Sequence, residues 1–320
     1  MKALASLALA TAACIAFAPA LAQTYPAKPI RVIVPYPPGG TSDILTRLIG
    51  AKLTESWGQQ VIADNRTGAG GNIAAELTAR SAPDGYTLML TDIGNFVTTS
   101  VLFAKLPFDV QRDFAPVITV SYSPHLLAVH PSVPVKTTRE LIALAKSRPG
   151  KLNYATGLGG MPHLAGLMFA QRAGIDWVYV PTKGGAASTY AVAIGDGDAL
   201  FMGILQVLPH LNTQKLKLIA SSSEQRLTAL PDTPTVNEVL PGFVTGSWQG
   251  ILAPAKTPPE IIAKLNNEIA RILKLPEVRD TLTSQSTQPL ATGPQDTARW
   301  LASERERWAK VVKTSGFKLD

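Results

Sequence analysis

The chain has 320 residues, a formal net charge of +7, 17% charged residues and a single cysteine. Its lysines and arginines are spread along the sequence and form no basic cluster. This pattern disfavours nucleic-acid binding, which usually needs a clustered basic stripe with stacking aromatic residues, but leaves small anions as candidate ligands.

The first 22 residues have the layout of a secretory signal peptide. Lys2 precedes an apolar stretch over residues 3–18, and Ala20-Leu21-Ala22 provides the small residues of a cleavage site before Gln23. A membrane anchor is the main alternative, but the stretch is shorter than the roughly 20 residues of a spanning helix. Lipid attachment at Cys14 is a weaker one. Cleavage removes Cys14, so we expect a soluble periplasmic protein without disulfides or a thiolate nucleophile.

A unit of apolar strand, glycine-rich turn and helix recurs four times along the remaining chain. Its turns are Pro35–Gly40, Gly68–Asn72, Thr156–Gly160 and Lys183–Gly185. Strands that alternate with helices predict an α/β fold with a mainly parallel sheet. In such folds ligands bind beyond the carboxyl ends of the strands, where these turns lie.

The chemistry of these turns favours an anionic ligand. A helix start has backbone N–H groups without internal partners and a partial positive charge, and glycine lets a ligand approach the backbone closely. Several such turns that converge would offer many donors to a carboxylate or phosphate. The alternative, that each glycine pair only makes a tight strand-to-helix connection, stays open for any single turn.

Other segments are interpreted as scaffold. Thr137 and Glu140 predict a capping box at the start of one helix, and Thr257-Pro258-Pro259-Glu260 predicts another helix start. A last helix is predicted from about Asp296. Its run Glu304-Arg305-Glu306-Arg307 is expected to form a solvated face with local ion pairs.

No catalytic or metal-binding motif is found. The sequence Gly246-Ser247-Trp248-Gln249-Gly250 does not have the spacing of a nucleophile elbow, and neither a Walker A nor a dinucleotide motif is present. The histidines do not cluster, and Asp196-Gly197-Asp198 is better explained as a polar turn than as a calcium loop. His163 follows a glycine turn, where it is either a ligand contact or a helix-face or capping residue. We therefore predict no cofactor and no metal, and disfavour an enzyme.

The whole chain after residue 22 resembles the Bug family, the solute-binding proteins of tripartite tricarboxylate transporters. The segments that carry the resemblance occur in family order: 25–30 (YPAKPI), 34–40 (VPYPPGG), 65–72 (NRTGAGGN), 82–87 (APDGYT), 113–116 (DFAP), 130–134 (HPSVP), 149–155 (PGKLNYA), 230–235 (LPDTPT) and 252–254 (LAP). Each segment is weakly specific alone, but together they are highly specific.

The resemblance implies a type II periplasmic binding protein, α/β in class, with two lobes that close over a ligand. Domain 1 would combine residues 23–121 and 222–320, and domain 2 would be residues 122–221. The ligand would be a small organic acid, and the partners would be membrane subunits of the tripartite class. The protein is expected to act as a monomer.

The resemblance also implies a set of ligand-binding residues, drawn mostly from the glycine turns. One lobe would contribute Tyr36, Gly39, Gly40, Thr41, Ser42 and Asp43, with Thr91 and Asp92 nearby. The facing lobe would contribute Thr156, Gly157, Gly160, His163, Lys183, Gly184, Gly185 and Gly203. Asp43 is ambiguous, because its carboxylate would repel an anionic ligand and could instead serve its own helix start.

Three departures from the family pattern bear on the ligand. Thr182 stands where many members have tyrosine, Gly203 where many have aspartate, and Leu158 in a turn that usually carries small hydroxyl residues. The loss of an acid disfavours an amino-acid ligand, whose ammonium group needs a carboxylate partner. The apolar group leaves room for a bulkier acid, aromatic acids included.

Two other functions stay open at this stage. One is a secreted hydrolase or isomerase on a similar α/β framework, which would deplete its ligand where a receptor returns it unchanged. The other is a sensory receptor that presents its loaded form to a membrane kinase, because transport and sensing need the same closing lobes.

Overall fold

A computed structural model describes residues 25–103, 105–284 and 287–317. The predicted signal peptide, with its cleavage site at Ala22-Gln23, lies outside the described residues. Within those ranges no helix combines the length and the apolar character needed to cross a membrane.

The first third of the chain alternates strands and helices. Its elements are β1 (Ile30–Val34), α1 (Thr41–Trp57), β2 (Val61–Asn65), α2 (Asn72–Ala79), β3 (Thr87–Asp92) and α3 (Ile93–Leu102). β1 pairs in parallel with both β2 and β3. The first glycine turn therefore lies at the carboxyl end of β1, and α1 ends where Gly58 takes the left-handed conformation, as the sequence indicated.

The middle of the chain begins with a long strand and builds a second sheet. Its elements are β4 (Phe114–Val129), α4 (Thr138–Ser147), β5 (Asn153–Thr156), α5 (Met161–Ala173), β6 (Val178–Pro181), α6 (Gly185–Ala193), β7 (Ala199–Gly203), α7 (Ile204–Asn212) and β8 (Lys217–Ser221). β5 pairs in parallel with β6 and β7, so the third and fourth glycine turns also lie at the carboxyl ends of their strands.

The last part of the chain returns to the first lobe. Its elements are β9 (Gly246–Pro254), α8 (Pro259–Ile272), α9 (Pro276–Ser284), β10 (Gln288–Pro289) and α10 (Pro294–Ser315). β9 inserts between β3 and β4 and is antiparallel to both. It thereby brings the residues of its first half beside the carboxyl end of β3.

β4 is shared between the two lobes. From Phe114 to Pro124 it pairs with β9, and from His125 to Val129 it pairs with β7 and β8. The predicted α/β fold with two lobes is confirmed, and the sheets are mixed, because β4 and β9 pair with their neighbours in antiparallel orientation. The domain boundaries at residues 121 and 221 stay a prediction; they lie close to the change of partner in β4 and to the end of β8.

Two local predictions need correction. Thr137 accepts the backbone N–H of Glu140, but the Glu140 carboxylate takes the N–H of Lys136, so only half of the predicted capping box forms. The charged run on α10 is not wholly solvated: Glu304 is buried and accepts the indole N–H of Trp308 at 2.8 Å. A complete capping box forms elsewhere, between Thr235 and Glu238.

Candidate functional site

The first glycine turn leaves the start of α1 without a side-chain cap. Gly40 occupies the N-cap position in an extended conformation and has no side chain to offer the backbone donors behind it. Gly39 has a φ of +85°, a conformation that favours glycine, and its N–H points to the Asp43 carboxylate at 2.9 Å. The second glycine turn packs against this one, since a β-carbon on Gly71 would lie 3.3 Å from Cβ of Pro35.

Asp43 is engaged within its own lobe. Besides the N–H of Gly39, its carboxylate accepts Arg47 at 2.9 Å and the amide of Asn65 at 3.1 Å. The hydrogen bond from Arg47 lowers the pKa of Asp43 to about 2. The side chain is buried and its oxygens have partners, which supports a role at the start of α1 over direct contact with an anion.

The end of β3 places a second helix start beside the first. Asp92 is the N-cap of α3, where its Oδ1 accepts the N–H groups of Gly94 at 3.0 Å and Asn95 at 3.2 Å. Burial raises the pKa of this carboxyl to about 6. Thr91 is buried at the end of the same strand.

Tyr36 lies beside Asn95, whose side chain reaches the second lobe. The Tyr36 hydroxyl lies beside Thr91, Asn95 and the backbone of Asp92; burial and the Asp92 charge raise its pKa to about 12. Oδ1 of Asn95 accepts the backbone N–H of Met161, the first residue of α5, at 2.9 Å. This hydrogen bond joins α3 of the first lobe to a helix start in the second.

Three buried side chains and the half-buried Ser247 form a continuous hydrogen-bonded chain on the floor of the first lobe. The Ser42 hydroxyl donates to Oε1 of Gln249 at 2.6 Å, and Nε2 of Gln249 donates to Ser247 at 2.9 Å. The Ser247 hydroxyl donates to Oδ2 of Asp92 at 2.6 Å. The start of α1 is thus linked to the N-cap of α3 through two residues of β9.

The two glycine turns of the second lobe touch one another. A β-carbon built on Gly157 would lie 3.4 Å from both N and Cα of Gly184. Gly160 and Gly184 are the N-caps of α5 and α6, and neither carries a side-chain cap. Thr156 is fully buried at the end of β5 and accepts the N–H of Thr182 with its carbonyl oxygen at 2.9 Å.

His163 points into the lobe. Its Nδ1 accepts the N–H of Gly159 at 3.3 Å, and its ring packs edge-on against Tyr179 and Phe317. Burial lowers the pKa of the imidazole to about 4. This geometry supports the interpretation of His163 as a capping residue that shapes the third turn.

The remaining predicted residues lie where β6 and β7 end. Lys183 is exposed and has no ion pair among the described side chains. Gly185 lets α6 approach β7 closely, since a β-carbon there would lie 2.8 Å from Sδ of Met202. Gly203 is the N-cap of α7 and has Gln206 folded over it, with Oε1 2.8 Å from where a β-carbon would stand.

Most of the predicted residues therefore lie at or beside helix starts, some in each lobe, and their role in ligand binding stays a prediction. Sequence reasoning missed Asn95, Ser247 and Gln249. The signal for the last two lies in the sequence itself, since polar side chains alternate in the otherwise apolar strand 246–254. In the described ranges no cluster of His, Cys, Asp and Glu side chains could hold a metal ion.

Comparison with known proteins agrees with the family resemblance of the sequence. Residues 45–317 match the family described as "Tripartite tricarboxylate transporter family receptor". Protein BugT of Bordetella pertussis is 36% identical over 305 residues, which cover 94% of each chain.

Two solved structures from Rhodopseudomonas palustris share the fold. Rpa4515 with adipate has a TM-score of 0.82 and 34% identity, over 92% of this chain and 99% of that one. MatC (Rpa3494) with bound malate has a TM-score of 0.77 and 33% identity, over 90% of this chain and all of that one.

Proposed function

Because the chain belongs to the family of tripartite tricarboxylate transporter receptors, we propose that it captures a small organic anion between its lobes and delivers it to the membrane subunits of such a transporter. Like its relatives of known structure, it is a solute-binding receptor and not an enzyme. The proposal includes export to the periplasm with cleavage near Ala22-Gln23, and domain boundaries at residues 121 and 221.

The observation that carries this proposal is the presence of uncapped helix starts in both lobes. Gly40, Gly160, Gly184 and Gly203 each occupy an N-cap position without a side-chain cap. Backbone donors and the positive ends of helix dipoles are therefore available to an anion from both sides. An anion that bridges them favours the closed arrangement, because it binds that arrangement better than the open one.

The ligand we propose is a carboxylic acid without an amino group. The relatives named above hold adipate and malate, which are dicarboxylates. Gly203 offers no carboxylate to an ammonium group, whereas Leu158, 44% exposed in the third turn, offers apolar surface. A linear or aromatic acid with an apolar portion fits these features better than aspartate or glutamate does.

A thermal-shift screen tests the proposal. Adipate, malate, benzoate, aspartate and glutamate should be compared at millimolar concentration, with affinities then measured by calorimetry. A ligand at about 100 times its Kd stabilises the native state by about 2.7 kcal/mol, which raises Tm measurably. We expect at least one simple acid to do so and to be recovered unchanged by mass spectrometry. A shift with aspartate or glutamate alone would contradict the ligand class, and consumption of the acid would contradict a receptor.

Lys183 supplies a matched pair of variants for the same measurement. As an exposed cation beside a helix start, it should contribute up to about 1 kcal/mol to the binding of an anion, or about fivefold in Kd. Lys183→Met should weaken binding by up to that factor. Lys215→Met removes an exposed lysine beyond the far end of α7 and should leave the Kd unchanged. Equal effects of the two variants would argue that only overall charge matters.

A further inference from the structure

The hydrogen-bonded chain from Ser42 to Asp92 has a direction. The two contacts of 2.6 Å have the length of O–H···O bonds, and the 2.9 Å contact between Gln249 and Ser247 that of an N–H···O bond. Each group thus donates toward Asp92. The one hydroxyl hydrogen of Ser42 is used by Gln249, so Ser42 cannot donate to an anion at the start of α1 while the chain points this way.

We propose that Ser247 and Gln249 are positioning residues, which reverse the direction of this chain when an anion is captured and so turn the Ser42 hydroxyl toward the ligand. The inference rests on the proposed function, since it assumes a carboxylate at the start of α1. Ser42, in the first turn of α1, is the only member of the chain on that helix. The reversal is driven by protonation of Asp92.

The reversal consumes one proton from solvent. The proton binds Oδ2 of Asp92, which then donates to Oγ of Ser247, and the Ser247 hydroxyl turns to donate to Gln249. The Gln249 carboxamide rotates by half a turn, so that its oxygen accepts from Ser247 and its NH₂ donates to Ser42. The Ser42 hydroxyl is then free to donate to the ligand carboxylate. Every partner is kept, and no other atom is exchanged.

The surroundings of Asp92 suit such a step. The carboxyl is buried, and burial raises its pKa to about 6. An anion bound nearby adds negative charge, which raises this pKa further and favours protonation of Asp92. Tyr36, on the loop after β1, is the titratable side chain beside it, with a pKa of about 12, and stays neutral.

On the neighbouring elements α1, β9 and α5, no described group has a pKa shifted toward 6. On α1 the charged groups form two ion pairs, Asp43 with Arg47 and Lys52 with Glu55. β9 carries no ionisable side chain. On α5, His163 is buried with a pKa lowered to about 4, so it is neutral when Asp92 titrates.

Two glycines hold β9 in place for this role. A β-carbon on Gly246 would lie 2.5 Å from the carbonyl oxygen of Ser123, and one on Gly250 would lie 2.8 Å from Ile93. The backbone on either side of Ser247 and Gln249 is therefore packed against its neighbours. The chain can change its direction by rotation of hydroxyls and one amide, without movement of the strand.

Calorimetry with adipate as the probe tests the inference on the unmodified protein. Above pH 6.5 both carboxyls of adipate are ionised, since free carboxyl groups titrate near pH 4. Titrations in buffers of different ionisation enthalpy should show uptake of up to one proton per adipate. By linkage, Kd should then rise by up to tenfold per pH unit between pH 6.5 and 8.5. Binding without proton uptake would overturn the inference and leave the proposed function intact, whereas no binding at any pH would count against the function itself.

Variants distinguish the relay from simple repulsion by Asp92. Asp92→Asn keeps an N-cap oxygen and donates to Ser247, so binding should lose its pH dependence and be as tight at pH 8 as that of the wild type at pH 6.5. Ser247→Ala leaves Asp92 in place but breaks the chain, and should also flatten the pH profile, while Ser247→Thr should restore it. A full pH dependence in Ser247→Ala would show that Asp92 acts directly and would overturn the roles of Ser247 and Gln249.

Discussion

Asn95 joins the two lobes at the start of α5. Its side-chain oxygen accepts the N–H of Met161, and this oxygen occupies a position at the start of α5 that a ligand carboxylate could also use. The contact exists only while the lobes are together. Asn95 therefore either stabilises the closed arrangement or competes with the ligand for the N–H of Met161. The direction in which its removal changes the ligand affinity distinguishes the two roles.

We expect Asn95→Ala to weaken adipate binding about fivefold. A hydrogen bond contributes about 1 kcal/mol net, and its loss lowers the fraction of the unliganded protein that is in the closed, binding-competent arrangement. Calorimetry at fixed pH measures the effect. Ser100→Ala, on the last turn of the same helix, should leave Kd unchanged. Tighter binding by Asn95→Ala would mean that the carboxamide competes with the ligand for the N–H of Met161.

The start of α6 depends on a backbone conformation that only glycine adopts easily. Gly184 has φ +99° and ψ −179°, and its carbonyl oxygen accepts from the N–H and the hydroxyl of Ser188 at 3.0 Å. The turn is further held by Thr182, whose hydroxyl contacts that of Ser188 at 2.6 Å. Thr182, one of the departures from the family pattern, thus stabilises the turn through its hydrogen bond with Ser188.

Gly184→Ala should affect both stability and binding. The strained conformation costs about 1–3 kcal/mol for a residue with a β-carbon, and its relief would move the first N–H groups of α6. Gly174→Ala places the same change at the C-cap of α5, where φ is +61°. Urea unfolding should show both variants destabilised, while calorimetry with adipate should show weaker binding for Gly184→Ala alone. Equal losses of affinity would argue against a ligand at the start of α6.

The strands, turns and helices could be predicted because their signals are local. Apolar runs end in glycine at β1, β5 and β6, and Gly58 stops α1 where the periodicity ends. The chain through Gln249 could not be predicted in this way, because Ser42 lies 207 residues from Gln249 and Asp92 lies 155 from Ser247. Their proximity follows from the insertion of β9 between β3 and β4, which no short pattern encodes.

Three buried groups with pKa values shifted into the range of about 4 to 6 make the stability of the protein depend on pH in that range. His125, at the point where β4 changes partners, and His163 both have pKa values lowered to about 4 by burial. In the unfolded chain they protonate near pH 6.5, so the stability from their burial is present above that pH and is lost on acidification toward pH 4. Asp92 acts in the opposite direction, because its pKa of about 6 exceeds its unfolded value.

The effect of the two histidines is larger than the opposite effect of the one aspartate. As the pH falls from about 6 to 4.5, these three groups should therefore lower the unfolding free energy of the ligand-free protein by roughly 1 kcal/mol per pH unit. Urea unfolding at several pH values measures this slope. His163→Gln, which keeps an acceptor for Gly159, should remove most of it. Tyr179→Phe perturbs the same packing without removing a histidine and should keep the slope. An unchanged slope in His163→Gln would contradict the assignment.

β9 also carries a tryptophan, Trp248, whose fluorescence depends on its surroundings in the fold. Trp248 stands between Ser247 and Gln249 on the opposite face of the strand, where its indole stacks on Tyr122 at 4.8 Å and lies 5.2 Å from Trp300. The emission of a tryptophan depends on the rings and dipoles around it. The fluorophore thus shares its backbone with Ser247 and Gln249 of the hydrogen-bonded chain, and we expect adipate binding to change its emission without any attached dye.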